Sequence, residues 1–345
     1  MISLPKVPVI HLPASGDMAL DLLACRTPQA LALVGEAGSR YGAAVLRALD
    51  APSRRWAARN RSPYAASLLT VEEALHAASP KTPGAFALNL SYEWACTAGV
   101  RVTPQGAEHL RVLDWDTPGL GRHLVVAVRG EVAFLTWAGY VGCVTGMRRN
   151  AFTIALNQPP LTLPGARAGV LPQAFAWLGG RAERWRSECM PPAHLVRMVL
   201  ETATSLDEAL ALIRDVPVSS PALLSLTGSD GRAVVVEKHA GERAAIILEG
   251  ESLTCANHWP TDEARVARRA NSPLRTDRMA EVLRDVADPD DLSWLRGAIL
   301  VPCTRVVCVM RPSSSDGHLP LSVAGLEDGG YATAVTHLDP WSAQL

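Results

Sequence analysis

The 345-residue sequence lacks several features that would assign it to a familiar class of protein. It has no run of about 18 apolar residues, so we expect no transmembrane helix. The first residues, MISLPKVPVIHLPASG, show no basic segment before an apolar run, so we expect no secretory signal. A formal net charge of -1 gives no reason to expect a nucleic acid partner. Seven irregularly spaced cysteines argue against a disulfide framework and for a reducing, cytoplasmic compartment.

Common catalytic and cofactor motifs are also missing. No G-x-S-x-G nucleophile elbow occurs, and GSDG at residues 228–231 is typical of a turn between strands. The glycine-rich GYVGCVTG at 139–146 does not match G-x-G-x-x-G and does not open a helix, which argues against dinucleotide binding. The nine histidines form no H-x-x-x-H pair, and Cys303 and Cys308 would face opposite sides of a strand. We therefore expect neither a cofactor nor a metal site.

The segments that are present alternate between helical and strand-like character. Helix-spaced apolar residues predict helices in the first 80 residues, and FALNLSYEW at 86–94 begins a series of predicted strands. Helices return over 171–216, where Ser205 and Glu208 form a capping box. Further strands, two helices and a last strand follow. This order fits two antiparallel sheets with helices outside them, in one layered domain.

One cysteine differs from the other six in its surroundings. A cysteine in an apolar strand is usually a small core residue. That interpretation is kept for six positions: Cys25, Cys143, Cys189, Cys255, Cys303 and Cys308. Cys96 lies in NLSYEWACTAGV and is followed by Arg111 and Asp114 in LRVLD, and much later by Asn257 in CANH. It is either one more buried thiol or a nucleophile.

The motifs around Cys96 carry a family resemblance. Between about residues 86 and 280 the chain has, in this order, NLSYE, ACTA, LRVLD, GYVGCVTG and AFTIALNQ. It resembles the cysteine branch of the N-terminal-nucleophile (Ntn) hydrolases, in particular acid ceramidase and N-acylethanolamine acid amidase. More distantly it is similar to bile-salt hydrolases and penicillin acyltransferase. The resemblance implies an α+β fold, the four-layer αββα sandwich of two antiparallel sheets, here with an N-terminal helical segment.

The resemblance also implies activation by self-cleavage between Ala95 and Cys96. The chain would become two associated parts, residues 1–95 and 96–345. A thiol with a pKa near 8.5 needs a base, and the α-amine of a terminal cysteine, with a pKa of about 7.7–8.0, is partly neutral at physiological pH. Because the amine and the thiol belong to one residue, no separate catalytic histidine is required.

Further roles follow from the same resemblance. Asp114 would accept a hydrogen bond from the Cys96 amine, Arg111 would favour the thiolate, and Asn257 would donate its amide N–H to the oxyanion. On a regular strand Arg111 and Asp114 face opposite sides, so a bulge or turn between them is needed if both are to reach Cys96. Without the resemblance, this R-x-x-D pair is equally an exposed ion pair at a strand end.

The substrate and oxyanion pocket is assigned to Asn157, Tyr140 and Arg275, with Arg278 as the alternative to Arg275. Each asparagine alone is equally a strand-terminal turn residue. One position departs from the pattern, because relatives usually have Glu after the asparagine where this chain has Gln158.

The leading functional hypothesis is a self-activated cysteine amidase that hydrolyses a linear, non-peptide amide of an N-acyl compound through a thioester on Cys96. The residues preceding the cleavage site, Tyr92 and Glu93, would help to hold the bond for self-attack. Two alternatives stay open: an acyltransferase that passes the acyl group to an amine, and a homologue that binds a ligand without self-cleavage. The expected partner is a small N-acyl amide, with no nucleic acid and no membrane span. The oligomeric state is open, with a homo-oligomer as one alternative.

Overall fold

A computed structural model of the chain describes residues 3–80, 84–90, 94–160, 185–262, 271–313 and 318–342. Within these ranges it is an α+β structure of two β-sheets and seven α-helices. The helices are α1 Met18–Tyr41, α2 Ala43–Ala57, α3 Ala65–Ala78, α4 Ala85–Asn89, α5 Pro192–Thr202, α6 Leu206–Asp215 and α7 Ser272–Asp285. The predicted fold class is therefore confirmed.

The strands form one sheet of eight strands and one of seven. They are β1 Val9–His11, β2 Trp94–Thr103, β3 Gly106–Trp115, β4 Val125–Arg129, β5 Val132–Thr136, β6 Thr145–Arg148, β7 Phe152–Asn157, β8 Ala222–Gly228, β9 Ala233–Lys238, β10 Ile246–Glu249, β11 Ser252–Cys255, β12 Thr304–Met310, β13 Leu321–Glu327, β14 Gly330–Tyr331 and β15 Thr336–Leu338. The larger sheet has the order β1-β4-β5-β6-β7-β8-β9-β10. The smaller has the order β11-β2-β3-β12-β13-β14, with β15 also paired to β13.

The two sheets pack face to face between helices. Strand β2 of the smaller sheet contacts β7, β8 and β9 of the larger one. Helices α1, α5 and α6 cover the outer face of the larger sheet, and α7 covers β2 and β11 of the smaller. The strand pairs are antiparallel, as expected, with the exception of β1 and β4, which run parallel. No helix in the described ranges is long and apolar enough to cross a membrane.

Local sequence signals account for several helix boundaries. The Ser205 hydroxyl accepts a hydrogen bond from the Glu208 N–H at 3.2 Å, as the capping box predicts. The Glu208 carboxylate, however, accepts from the Thr204 N–H at 2.7 Å, one residue before the expected partner. Gly42, with a φ of 85°, separates α1 from α2 within a run that reads as a single helix in the sequence.

The strand predicted at 86–94 is wrong for residues 86–89. Ala85–Asn89 is the short helix α4, while residues 91–93, which include Tyr92 and Glu93, lie outside the described ranges. The Asp50 carboxylate of α2 accepts from the N–H groups of Gly84 at 2.6 Å and Ala87 at 3.0 Å. This tertiary contact caps the first turn of α4, and the local alternation of residues gives no sign of it.

The strand that carries Cys96 is continuous. Strand β2 begins at Trp94, and its register with β3 is unbroken from Trp94 opposite Trp115 to Thr103 opposite Gly106. Pairing with β3 therefore continues on both sides of the Ala95–Cys96 bond. The bond lies within one buried strand.

Candidate active site

Cys96 is buried in the gap between the two sheets, with no exposed surface. Its Sγ accepts a hydrogen bond from Arg111 Nη2 at 2.9 Å, and the thiol donates to the Leu156 carbonyl oxygen at 3.6 Å. Cys96 lies opposite Leu113 of β3, and Arg111 lies opposite Ala98. Because side chains alternate along strands, Arg111 and Cys96 project from the same face of the sheet.

On the side that faces away from β3, the backbone of Cys96 is held by side chains rather than by a strand. Its N–H donates to Asn257 Oδ1 at 2.9 Å, and its carbonyl oxygen accepts from Arg275 Nη1 at 2.8 Å. Strand β11 ends at Cys255, opposite Ala98, so it does not extend as far as Cys96. Asn257 and Arg275 take the place that the next residues of that strand would occupy.

Arg275 also connects Asp114 to the residues that surround Cys96. Its Nη1 lies 3.3 Å from Asp114 Oδ2, and its Nη2 donates to Asn257 Oδ1 at 2.5 Å. Asp114 lies opposite Ala95 in unbroken register, so it faces away from Arg111, as strand alternation predicts. With no bulge between β2 and β3, the carboxylate of Asp114 is linked to Cys96 through Arg275.

The end of β7 supplies a second set of contacts. Asn157 Oδ1 accepts from Arg111 Nη1, and Asn157 Nδ2 donates to the carbonyl oxygens of Cys255 and Ala256 at 3.1 Å each. Asn257 Nδ2 donates to the Gln158 carbonyl oxygen at 2.7 Å. These bonds join β7 of the larger sheet to the segment that follows β11 of the smaller one.

Two buried hydroxyl groups that the sequence analysis did not identify support the site. Ser272 Oγ, at the start of α7, accepts from the Asn257 N–H at 2.7 Å, and Thr304 Oγ1 donates to Asp114 Oδ1 at 2.7 Å. The Ser272-Pro273 dipeptide marks a helix start, but nothing local relates it to Asn257. No local sequence pattern marks Thr304 as a residue of the site.

Burial raises the pKa of the Cys96 thiol to about 11. The positive charges of Arg111 and Arg275 act in the opposite direction, and the negative charge of Asp114 raises the pKa further. In the intact chain the thiol is therefore protonated at neutral pH. Its backbone nitrogen is an amide and has no basic lone pair to offer.

The other six cysteines divide into two groups. Cys143, Cys255 and Cys308 are buried, and burial raises the pKa of each thiol to about 12. The core interpretation is wrong for the other three, since Cys25 is exposed and Cys189 and Cys303 are partly exposed. Cys303, for example, precedes β12 instead of lying within it.

An apolar cavity lies at the end of β3, where Trp115 pairs with Trp94 of β2. It is lined by Trp115, Trp137 and Tyr140 together with apolar residues of α1, α3 and α4. Trp115 packs against Trp94, which lies two residues before Cys96, with ring centroids 4.9 Å apart and ring planes tilted by 45°. Tyr140 thus lines this cavity.

The structure distinguishes the two candidates for the site arginine, which both lie on α7. Arg275 is buried at the site, whereas Arg278 forms a surface ion pair with Glu281 at 2.7 Å. His258 Nδ1 lies 2.9 Å from Ser272 Oγ.

One group of side chains elsewhere has the geometry of metal ligands. Asp288, Asp290 and His318 bring ligand atoms within 4.8 Å of one another. Asp290 already pairs with Arg311 at 2.9 Å and with His318 at 3.0 Å. The Arg311 cation disfavours a second cation there, and the expectation of no metal stays a prediction.

Comparisons with known sequences bear on the motif resemblance. The family model described as "Acyl-coenzyme A:6-aminopenicillanic acid acyl-transferase" matches residues 180–299. Acid ceramidase of Homo sapiens is 31% identical over 108 residues, which is 31% of this chain and 25% of that protein. These matches confirm the resemblance to the Ntn hydrolases. The family match includes Asn257 and Arg275 but not Cys96.

Other relatives are similar over limited lengths. "Uncharacterized protein R632" of Acanthamoeba polyphaga mimivirus is 26% identical over 159 residues, or 44% of this chain and 48% of that protein. The chain thus spans about half the length of this relative and a quarter of acid ceramidase.

Among solved structures, a Caenorhabditis elegans ortholog of N-acylethanolamine-hydrolyzing acid amidase has a TM-score of 0.43 and 21% identity, covering 70% of this chain and 100% of that one. Penicillin V acylase from Agrobacterium tumefaciens has a TM-score of 0.40 and 14% identity, covering 71% and 98%.

Proposed function

We propose that the chain is an Ntn cysteine amidase that cleaves itself before Cys96 and then hydrolyses a linear amide of an N-acyl compound. The observation that carries this proposal is the convergence of three side chains from separate elements on one cysteine. Arg111 binds the thiol, while Asn257 and Arg275 bind the nitrogen and the oxygen of its backbone. A core thiol needs no such set of partners.

In the self-cleavage step, the Cys96 thiol attacks the carbonyl carbon of Ala95. The C–N bond breaks, the nitrogen takes the proton, and Ala95 becomes a thioester on the sulfur. Water then hydrolyses the thioester, which releases the Ala95 carboxylate and the free α-amine of Cys96. The products are residues 1–95 and 96–345.

We expect the two products to remain associated. Helices α1 to α4 of the first part pack on one another, and the buried apolar residues of α1 and α3 share one core with the strands of the larger sheet. Trp94 and Ala95 are also buried opposite β3. Separation would expose this apolar surface to water.

In the amidase step, the new α-amine removes the proton from the thiol. Asn257 Oδ1 lies 2.9 Å from the nitrogen in the intact chain and would orient the amine after cleavage. The thiolate attacks the substrate carbonyl, the amine half leaves with a proton from the α-amine, and water releases the acyl group from the thioester. The second hydrogen of Asn257 Nδ2 and the guanidinium of Arg111 are the proposed oxyanion donors.

The apolar cavity supports the proposal that the substrate carries an apolar acyl group. It is lined mainly by Ala, Leu, Val and Trp side chains and begins at Trp115, next to the strand position of Asp114. An acyl chain in it would be removed from water, which stabilises the bound state in proportion to the apolar area buried.

An acyltransferase is the second candidate, because the matching family model describes an acyl-transferase. The same thioester would then be resolved by an amine acceptor instead of water. The cytoplasmic location and the oligomeric state stay predictions.

The proposal is tested by trapping the acyl-enzyme. Purified protein is mixed with an N-acyl amide, quenched in acid and weighed by mass spectrometry. We expect the 96–345 part to gain the mass of the acyl group, and Cys143→Ala to behave like the wild type because Cys143 does not contact the site. An acyl adduct on another residue, or turnover that persists in Cys96→Ala, contradicts the proposal.

A further inference from the structure

Strand β12 is irregular at the point where it passes Asp114. It pairs with β3 in regular register as far as Val306, which lies opposite Leu113. If that register continued, Arg305 would lie opposite Asp114. Instead the register shifts by one residue between Thr304 and Val306, and Thr304 lies opposite Asp114. Arg305 is therefore the extra residue of a β-bulge, a feature that changes which side chain meets the neighbouring strand.

The Arg305 guanidinium is engaged on the far side of the bulge. Its Nε donates to the Trp115 carbonyl oxygen at 2.9 Å, and its Nη1 pairs with Glu327 of β13 at 2.6 Å. The ion pair that the structure gives Asp114 is with Arg275, at 3.3 Å. Two guanidinium groups at one buried carboxylate would repel each other and compete for its oxygens. The bulge thus prevents Arg305 from competing with Arg275.

The residue that the bulge places opposite Asp114 carries a fixed hydroxyl group. Thr304 is fully buried, and its Oγ1 accepts from the Val301 N–H at 3.0 Å and donates to Asp114 Oδ1 at 2.7 Å. An N–H group can only donate, and an ionised carboxylate can only accept. These two bonds therefore determine the direction of the hydroxyl proton, which points at the carboxylate.

The orientation of the Asp114 carboxylate reaches the backbone of Cys96 in one further step. While Oδ1 is held by Thr304, Oδ2 lies 3.3 Å from Arg275 Nη1. The same guanidinium donates to the Cys96 carbonyl oxygen at 2.8 Å and to Asn257 Oδ1 at 2.5 Å. A carboxylate that rotated away from Thr304 would draw Oδ2 away from Arg275, and the support of the Cys96 backbone would loosen.

We propose that Thr304 is a positioning residue, which orients the backbone of Cys96 through the buried ion pair of Asp114. The bulge contributes twice, because it brings a neutral hydroxyl to the carboxylate and keeps the Arg305 cation from it. This inference rests on the proposed amidase function and extends that site to β12. Because Thr304 acts through other residues, it affects the rate of the chemical steps and not the binding of the acyl group.

The test removes the hydroxyl and then restores it. Thr304→Val keeps the branched shape without the O–H group, Thr304→Ala is a second variant without it, and Thr304→Ser retains it. Self-cleavage is followed by mass during cell-free synthesis, and turnover is followed with the dodecanoyl amide of p-nitroaniline as the probe. We expect Thr304→Val to lower the self-cleavage rate and kcat by about 10- to 100-fold, the effect of losing a hydrogen bond to a charged group, with KM unchanged. Thr304→Ser should keep most of the wild-type rate.

Thr333→Val is the matched control. Thr333 is also a buried threonine, and its Oγ1 accepts from the Gly325 N–H at 2.8 Å, in β13. This variant should lose stability in the same way as Thr304→Val but keep the wild-type rates, measured at a temperature at which thermal unfolding shows every variant to be folded. A purely structural role for Thr304 would make the two variants alike.

The outcomes separate this inference from the function on which it rests. If the wild type cleaves itself and Thr304→Val does so equally fast, the role of Thr304 is wrong and the amidase proposal stands. The role is also wrong if Thr304→Ser is as slow as Thr304→Val, or if Thr333→Val is slowed as much. If the wild type neither cleaves itself nor turns over the probe, the amidase proposal fails, and the role of Thr304 fails with it.

Discussion

Arg275 of α7 donates a hydrogen bond to the carbonyl oxygen of Cys96 at 2.8 Å, across the edge where β11 has ended. The same guanidinium binds Asn257 and lies 3.3 Å from Asp114. A residue from a helix thereby completes the surroundings of a strand residue 179 positions away in the sequence.

Replacing Arg275 should destabilise the protein and slow self-cleavage. Arg275→Met leaves the buried carboxylate of Asp114 without its cation, and breaking a buried ion pair in this way costs about 3–5 kcal/mol. Urea unfolding measures the free energy of unfolding. Arg278→Met, on the same helix but in a surface ion pair, should cost less than about 1 kcal/mol. Equal losses in the two variants would refute the assigned role.

Replacing Arg111 should make the Cys96 thiol a weaker acid. The Arg111 guanidinium, 2.9 Å from Sγ, lowers the pKa of a thiol that burial has raised. In Arg111→Gln the pKa should rise, so alkylation by iodoacetamide at a given pH should slow. Arg122→Gln, on an exposed residue, is the control. A pKa that is unchanged or lower in Arg111→Gln would contradict the proposed thiolate stabilisation.

Removing Asn257 should impair catalysis more than folding. Asn257→Ala loses the acceptor for the Cys96 nitrogen and a proposed oxyanion donor, so we expect turnover to fall by about 100- to 1000-fold. Steady-state kinetics on the processed protein measures it, and thermal unfolding checks that the fold is retained. A rate equal to that of the wild type would remove Asn257 from the chemistry.

Acid should destabilise the fold through His109. Burial lowers the pKa of this histidine to about 3, and its ring contacts Thr153 and Ser225 across the sheet interface. An unfolded histidine has a pKa near 6.5, so between pH 6.5 and 3 the unfolded chain binds the extra proton. Stability from this group is present above pH 6.5 and falls by up to about 1.4 kcal/mol per pH unit below it.

The corresponding measurement is unfolding by urea at several pH values. His109→Gln should show a shallower loss of stability between pH 6 and pH 4 than the wild type, while His76→Asn, on an exposed residue, should follow the wild type. Identical slopes for His109→Gln and the wild type would mean that His109 is not buried as a neutral group.

The sequence was sufficient to predict the fold class and to identify the residues that lie near Cys96 along the strands. Arg111 could be placed because strand alternation and motif order are local properties. The same alternation correctly put Asp114 on the opposite face, but the arginine that reconnects it to Cys96 comes from a helix far along the chain.

Where sequence reasoning failed, a tertiary contact decided the outcome. Residues 85–89 are helical because Asp50 of α2 caps their first N–H groups, although they alternate like a strand. Ser272 and Thr304 were missed because their partners, Asn257 and Asp114, are distant in sequence. The bond before Cys96 lies in a continuous strand, because pairing with β3 extends on both sides of it.

The most direct test of the central claim is the intact mass of the purified protein. We expect two chains that correspond to residues 1–95 and 96–345 for the wild type and for Cys143→Ala. We expect one full-length chain for Cys96→Ala. Two results would contradict the claim that the Cys96 thiol cleaves the Ala95–Cys96 bond. One is a folded wild-type protein that stays at full length, and the other is a Cys96→Ala variant that is still cleaved after Ala95.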